Sequence, residues 1–257
     1  MEIYFTIVFF IFGLFLGSFY NVVGYRLPLG ESLLHPGSHC PKCNHKLTWM
    51  ELIPVFSFVF QGGKCKNCHK KINPFYPLCE LTCGILFALA YLRFGFHPEL
   101  VISLTFISLV VVIIVSDYNF MIISDESLFF FGGLLIIENF LFYGLSYGIS
   151  HLISGGVAFL LMYLLGCFGD FLFKRESLGG GDIKLMFVIG CLLGGWMAFV
   201  TIFVASFLAL PVACLVLLLK KDHLIPYGPF LAIGALLLYF SQIHIMDILT
   251  FLGYIPM

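Results

Sequence analysis

The chain has 257 residues, 61% of them hydrophobic and only 11% charged, with 31 phenylalanines and a net charge of −1. A water-soluble domain carries about 25% charged residues, so this composition excludes one and reads as a polytopic membrane protein. It also excludes a nucleic-acid-binding surface: the few cations track the membrane, and their sidedness matters more than their sum.

Residues 3–23 form the first apolar run, long enough for the ~20 residues that cross ~30 Å of hydrocarbon. Glu2 precedes it and no Lys or Arg does, whereas a cleaved signal peptide has a basic start and a shorter apolar core. Residues 1–23 are therefore expected to be a retained first transmembrane helix. Over 24–76 the composition changes abruptly, gathering Arg26, Lys42, Lys46, Lys64, Lys66, Lys70 and Lys71 together with Cys40, Cys43, Cys65 and Cys68. This stretch is expected to be the one small domain outside the bilayer. Residues 77–257 read as the membrane-embedded core. Apolar runs lie at 78–96, 100–116, 127–145, 151–173, 196–219 and 225–245, with a shorter one at 183–194. At 1.5 Å per residue the short run reaches only ~18 Å. Counting it gives an all-α protein of about eight transmembrane helices.

The basic residues test that count. With residue 1 outside, Arg26, the six lysines of the 24–76 insert, Lys174, Arg175, Lys184, Lys220 and Lys221 all fall inside, and only Arg93 falls outside. Such a bias is what orients membrane proteins. The same topology carries Asp117 and Asp182 to the cytoplasmic face.

The insert holds a metal signal. Cys40-Pro41-Lys42-Cys43 and Cys65-Lys66-Asn67-Cys68 are paired Cys-x-x-Cys knuckles, the spacing that closes a tetrahedral structural Zn²⁺ site. A domain this small needs such a staple, and a cytoplasmic placement disfavours disulfides. His39, His45 and His69 are expected to be solvated loop residues, since four sulfurs suffice. Cys79, Cys83, Cys167, Cys191 and Cys214 sit in apolar runs and read as small buried hydrophobes.

Common catalytic motifs are missing. His35 and His39 have helical metal-ligand spacing but no intervening Glu, and they flank Pro36 and Gly37; no Gly-x-Ser-x-Gly elbow or phosphate loop occurs. Gly17-Ser18 reads as small-residue helix packing. Among the carboxylates, Glu2, Glu99 and Asp247 lie at chain or helix ends, and Asp170 precedes Lys174 by one helical turn, an expected pair. Asp117, Asp125 and Asp182 resist such accounts. Asp117 ends the apolar run 109–116 with no cation near it in sequence. Asp182 follows Gly179-Gly180-Gly181, where backbones can turn tightly and approach closely, and opens the short run; a carboxylate there is a functional candidate. Two carboxylates sharing a proton can activate water. Asp117 and Asp125 lie ~12 Å apart on a helix, so one of them must meet Asp182 instead. Asp125 is otherwise expected to cap the helix beginning near Ser127. These residues admit an intramembrane aspartyl protease or a proton-coupled transporter with a zinc-stapled loop.

Ordered motifs run through nearly the whole chain: Gly17-Ser18-Phe19-Tyr20-Asn21-Val22-Val23 with Tyr25-Arg26-Leu27-Pro28; Cys40 and Cys43; Glu51-Leu52-Ile53-Pro54 with Ser57; Gly63-Lys64-Cys65 with Cys68; Tyr76-Pro77 with Glu80; Asp117 and Asp125; Gly179-Gly180-Gly181-Asp182 with Lys184; and Ile225-Pro226-Tyr227-Gly228-Pro229-Phe230. In these the sequence resembles the type IV prepilin peptidases, aspartyl proteases of the Gly-x-Gly-Asp type. The resemblance implies removal of the leader of prepilins or pseudopilins in the bacterial cytoplasmic membrane, with the zinc domain and active site cytoplasmic. It further implies methylation of the new N-terminus from S-adenosylmethionine. By it Asp117 and Asp182 match the catalytic aspartates, Gly179, Gly181 and Lys184 support the catalytic loop, and Cys40, Cys43, Cys65 and Cys68 bind zinc. The glycine backbone would let a substrate strand or the partner aspartate come close. Two positions depart from the family: Phe75 stands where Arg is common, and Ser124 where Pro is common. The first bears on the methyl-transfer half.

Overall fold

The structure is a computed structural model in which residues 1–174, 177–219 and 226–242 are described; they form helices and connections, with no strand among them. Arg175, Glu176, Lys220, Lys221, Asp222, Ile225 and the end of the last expected run lie outside the described residues. The chain divides into two compact units, Met1–Phe120 and Met121–Met257.

The first unit holds α1 (Glu2–Arg26), a short α2 (Phe56–Phe60), α3 (Phe75–Phe94) and α4 (Pro98–Phe120). In lipid no hydrophobic force pulls apolar helices together, so close packing of small residues and hydrogen bonds must do it. Gly17 of α1 meets α3 where a Cβ would stand 2.9 Å from the Glu80 Cα, and Gly24 meets the Val112 carbonyl of α4 at 2.8 Å. The Gly17 packing expected from sequence is thus a backbone-to-backbone crossing. Tyr20 of α1 donates to Ser108 Oγ of α4 at 2.7 Å. Residues 27–74 lie between α1 and α3. Arg26 stays helical and buried because its guanidinium donates to the Ser32 carbonyl at 2.9 Å. Glu80 on α3 reaches back to accept the Val55 amide at 2.7 Å. That bond docks the segment before α2 onto the second turn of a membrane helix. Val55 itself has φ 62°, strained for a β-branched residue.

The second unit holds α5 (Asp125–Tyr143), α6 (Leu145–Phe173), α7 (Gly180–Leu193), α8 (Gly195–Leu218) and α9 (Gly228–Ser241). The short run becomes α7, closed by Gly194 at φ 82°, a conformation that only glycine adopts freely. Its Leu185, Met186 and Ile189 are fully buried. Gly190 packs on α6 where a Cβ would stand 2.8 Å from the Gly155 Cα, and Asn139 of α5 donates to the Cys191 carbonyl at 2.9 Å. A helix walled in by its neighbours need not match the bilayer thickness.

Among the described residues six helices are long and apolar enough to cross a membrane: α1, α3, α4, α5, α6 and α8. Among the described residues the 14-residue α7 and α9 fall below that length. One pairing fails. Asp170 does not bind Lys174; its Oδ1 accepts the Ser177 amide at 2.7 Å and the Ser177 hydroxyl at 2.8 Å. Lys174 sits in the left-handed conformation past the end of α6, where its side chain has left the helical register that the pair required.

Candidate active site and metal centre

The insert builds its four-cysteine cluster from two copies of one turn. In each, the residue after the second cysteine, Asn44 or His69, has φ 56°. The Asn44 amide donates to the Cys40 carbonyl and the His69 amide to the Cys65 carbonyl, both at 2.9 Å. An antiparallel bridge closes each loop, His39 to Lys46 and Lys64 to Lys71. The four sulfurs lie within 4.8 Å of one another, with Cys40 to Cys68 and Cys43 to Cys65 at 3.9 Å. A tetrahedron of Zn–S bonds of about 2.3 Å has edges of about 3.8 Å, so these four residues fit a tetrahedral ion. The His45 amide directed at Cys43 Sγ, aided by Asn67, lowers that thiol to about 7. The Cys68 and Asn67 amides lower Cys65. At Cys68 the Lys70 amide favours the thiolate, but burial and the neighbouring sulfurs outweigh it and raise the thiol to about 11. The histidines turn elsewhere: His39 Nδ1 lies 3.0 Å from the Gly37 carbonyl. His45 is not simply solvated, since its Nε2 faces Glu51 at 3.4 Å.

In the second unit Gly179 caps α7 and accepts the Asp182 amide at 3.1 Å. Gly181 is required by packing, since a Cβ would stand 2.9 Å from Ile123 Cβ. Asp182, half-buried, faces the start of α9, where a Cβ on Gly228 would come within 2.9 Å of its Oδ1. Gly228 is thus a site residue absent from the expected set, although its signal, Pro226-Tyr227-Gly228-Pro229, was visible. Tyr227 beside it donates to the Ile202 carbonyl at 3.1 Å, fastening this corner to α8. Lys184 Nζ contacts both oxygens of Asp125, at 2.7 and 2.6 Å. Asp125 is therefore not the helix cap expected of it. Ser124 takes the cap position, and the Asp125 carboxylate, about half exposed, is neutralised by an ammonium from α7.

Asp117 differs on each count. Near the end of α4 in the first unit it is 6% exposed, and its buried Oδ2 has no hydrogen-bond partner among the described residues. Burial of a carboxyl oxygen without a partner costs several kcal/mol in a dry site, so the position is not one that packing alone selects. Beside it Tyr118 stacks on Phe75, ring centroids 3.7 Å apart, filling the place where the family pattern often has Arg.

Comparison with known proteins bears on both halves of the chain. A family model described as "Bacterial Peptidase A24 N-terminal domain" matches residues 11–94, and one described as "Type IV leader peptidase family" matches residues 104–214. A prepilin leader peptidase/N-methyltransferase of Bacillus subtilis (strain 168) is 40% identical over 235 residues, covering 90% of this chain and 92% of the relative. One from Myxococcus xanthus (strain DK1622) is 36% identical, over 74% of this chain and 56% of the relative. One from Aeromonas salmonicida (strain A449) is 30% identical, over 90% and 89%. No solved structure matches. Nothing in these matches points to a transporter. With a relative so similar along nearly all of both chains, this chain belongs to the type IV leader peptidase family.

Proposed function

We propose that this chain is an aspartyl endopeptidase that removes the leader of prepilins or pseudopilins at the cytoplasmic face of a bacterial inner membrane, and that it also methylates the new N-terminus. Asp117 and Asp182 are its catalytic pair. The observation that carries this choice is the contrast between two aspartates: Asp125 is bound to the Lys184 ammonium and half exposed, while Asp117 is buried with an oxygen unpartnered. A dyad needs one carboxylate to take a proton from water and the other to hold one, which a carboxylate clamped by a lysine does poorly. In this scheme the anionic member takes the water proton as the oxygen attacks the scissile carbonyl. The protonated member hydrogen-bonds the carbonyl oxygen and then hands its proton to the leaving amine. Gly179 and Gly181 let a strand approach, and Lys184 supports the loop through Asp125. A bell-shaped pH profile follows, because only the singly protonated pair is competent.

Cys40, Cys43, Cys65 and Cys68 hold a structural Zn²⁺, which would supply the folding energy of the insert. The methyl donor is S-adenosylmethionine. The resemblance to relatives named prepilin leader peptidase/N-methyltransferase supports both activities.

The deciding experiment measures the fraction of a co-expressed prepilin-like substrate shortened in membranes at matched protein level. Asp117→Asn and Asp182→Asn should each lower cleavage by of order a thousandfold or more, while Asp125→Asn keeps substantial activity. An inactive Asp125→Asn with an active Asp117→Asn would exchange the two roles. Normal cleavage by all three would end the aspartyl mechanism.

A further inference from the structure

The insert carries a cavity that neither peptide cleavage nor metal binding uses. It has a volume of about 640 Å³ and is lined by Trp49, Glu51, Phe56, Phe60, Lys64 and Lys66, among others. Trp49 and Phe60 are 71% and 85% exposed, large apolar surface for the cytoplasmic part of a membrane protein. The Glu51 side chain, by contrast, is only 5% exposed. Its Oε2 accepts the Thr48 amide and the Thr48 hydroxyl, both at 2.9 Å. Its Oε1 is buried with no hydrogen-bond partner among the described residues. A carboxylate is thus held rigidly by one oxygen while the other is left to an absent partner, a cost retained where a ligand completes the site. The Glu80 to Val55 bond ties the segment beside this wall to α3.

We infer that this cavity binds the methyl donor, with Glu51 receiving the ribose hydroxyls and the aromatic walls receiving the adenine ring and the sulfonium. The inference rests on the methyltransferase part of the proposed function. The chemistry matches group by group. A buried carboxylate is the usual partner of a ribose diol in nucleotide sites. Trp and Phe faces stack bases and attract a cation. Lys64 and Lys66 offer ammonium groups to the carboxylate of the donor's amino-acid end. The acyl chains of a lipid would use the aromatics but leave the Glu51 oxygen unsatisfied. The cavity also reaches Cys65, so the metal centre and the donor site share a wall, and loss of metal should collapse both.

The chain has two tryptophans, so Trp196→Phe leaves Trp49 as a single fluorescent reporter inside the cavity. The test uses the full-length Trp196→Phe protein in nanodiscs, titrated with S-adenosylhomocysteine. A saturable change in Trp49 emission is expected. Glu51→Gln should weaken binding by about tenfold or more, the scale of a lost charge-assisted hydrogen bond. Phe60→Ala should also weaken it, and as an exposed position it tests the cavity without threatening the Thr48 cap. Zinc content should stay unchanged in Phe60→Ala, showing that the insert still folds. No saturable response in protein that still methylates a cleaved substrate would overturn the site and leave the methyltransferase activity standing. No response and no methylated product would remove both. Quenching by brominated lipids without a response to S-adenosylhomocysteine would make the face a lipid-docking surface and overturn the assignment.

Discussion

Asp117, Asp125 and Asp182 are all acidic and all near helix ends, and their surroundings sort them. Asp125 meets an ammonium, Asp117 keeps an unpartnered oxygen, and Asp182 lies against a glycine at which a side chain would collide. The last contact yields a prediction at a position with no chemistry of its own. Gly228→Ala places a methyl within 2.9 Å of Asp182 Oδ1 and 2.6 Å of Ile123 Cδ1. Both atoms are ends of side chains that can swing aside, so the cost falls on the placement of the carboxylate more than on stability. A displacement approaching 1 Å in a catalytic group can cost about a hundredfold in rate. Gly228→Ala should therefore lose about a hundredfold in leader cleavage while accumulating in the membrane. Gly180→Ala, where a Cβ meets nothing within 4 Å, should stay close to wild type. Equal loss in both would mean that the loop needs glycine for flexibility rather than for space.

At the scale of elements, the Lys184–Asp125 contact joins the second turn of α7 to the first turn of α5. Both side chains are about half exposed, so solvent screening holds the pair to about 0.2–1 kcal/mol. Lys184→Met and Asp125→Asn should each lower thermal stability slightly. The double variant should lose less than the sum of the two, which a double-mutant cycle on the solubilised protein reads directly. Strict additivity would mean that the contact carries no energy. The insert should behave differently, because a domain this small would draw its folding energy from the proposed ion. Binding of zinc by such peptides contributes about 10–16 kcal/mol. Cys40→Ser or Cys65→Ser should abolish the single bound zinc, expose the insert to protease and eliminate methyl transfer. Leader cleavage should survive in part, since both proposed catalytic aspartates lie outside the insert. Elemental analysis of purified protein counts the metal, and a wild-type protein without zinc would refute the site.

For the whole molecule the open physical quantity is sidedness, which the basic residues of the insert argue for and the helices by themselves do not decide. A reporter cysteine at Glu31, exposed in the insert, should escape an impermeant thiol reagent in intact cells and react once the membrane is opened. One at Phe96, 66% exposed in the connection between α3 and α4, should react from outside. The reverse pattern would invert the topology and remove the reducing environment that favours thiolate over disulfide.

Much of this molecule was legible in one dimension because its determinants are local. Apolar runs and their Gly and Pro boundaries reappear as helices within a few residues, since spanning length and backbone satisfaction in lipid depend on nearest neighbours along the chain. The Cys-x-x-Cys spacing foretold a four-sulfur cluster because each knuckle is a single turn. The tertiary structure decided what depends on residues distant in sequence. Asp125 looked like a cap until Lys184 arrived from another helix, and Asp170 turned to Ser177 once α6 ended in a left-handed residue. Gly228 became part of the Asp182 corner only when α9 packed beside α7. The burial of the Glu51 carboxylate likewise depends on how the insert folds. A carboxylate's charge is written in the sequence, but its partners are set by packing between elements.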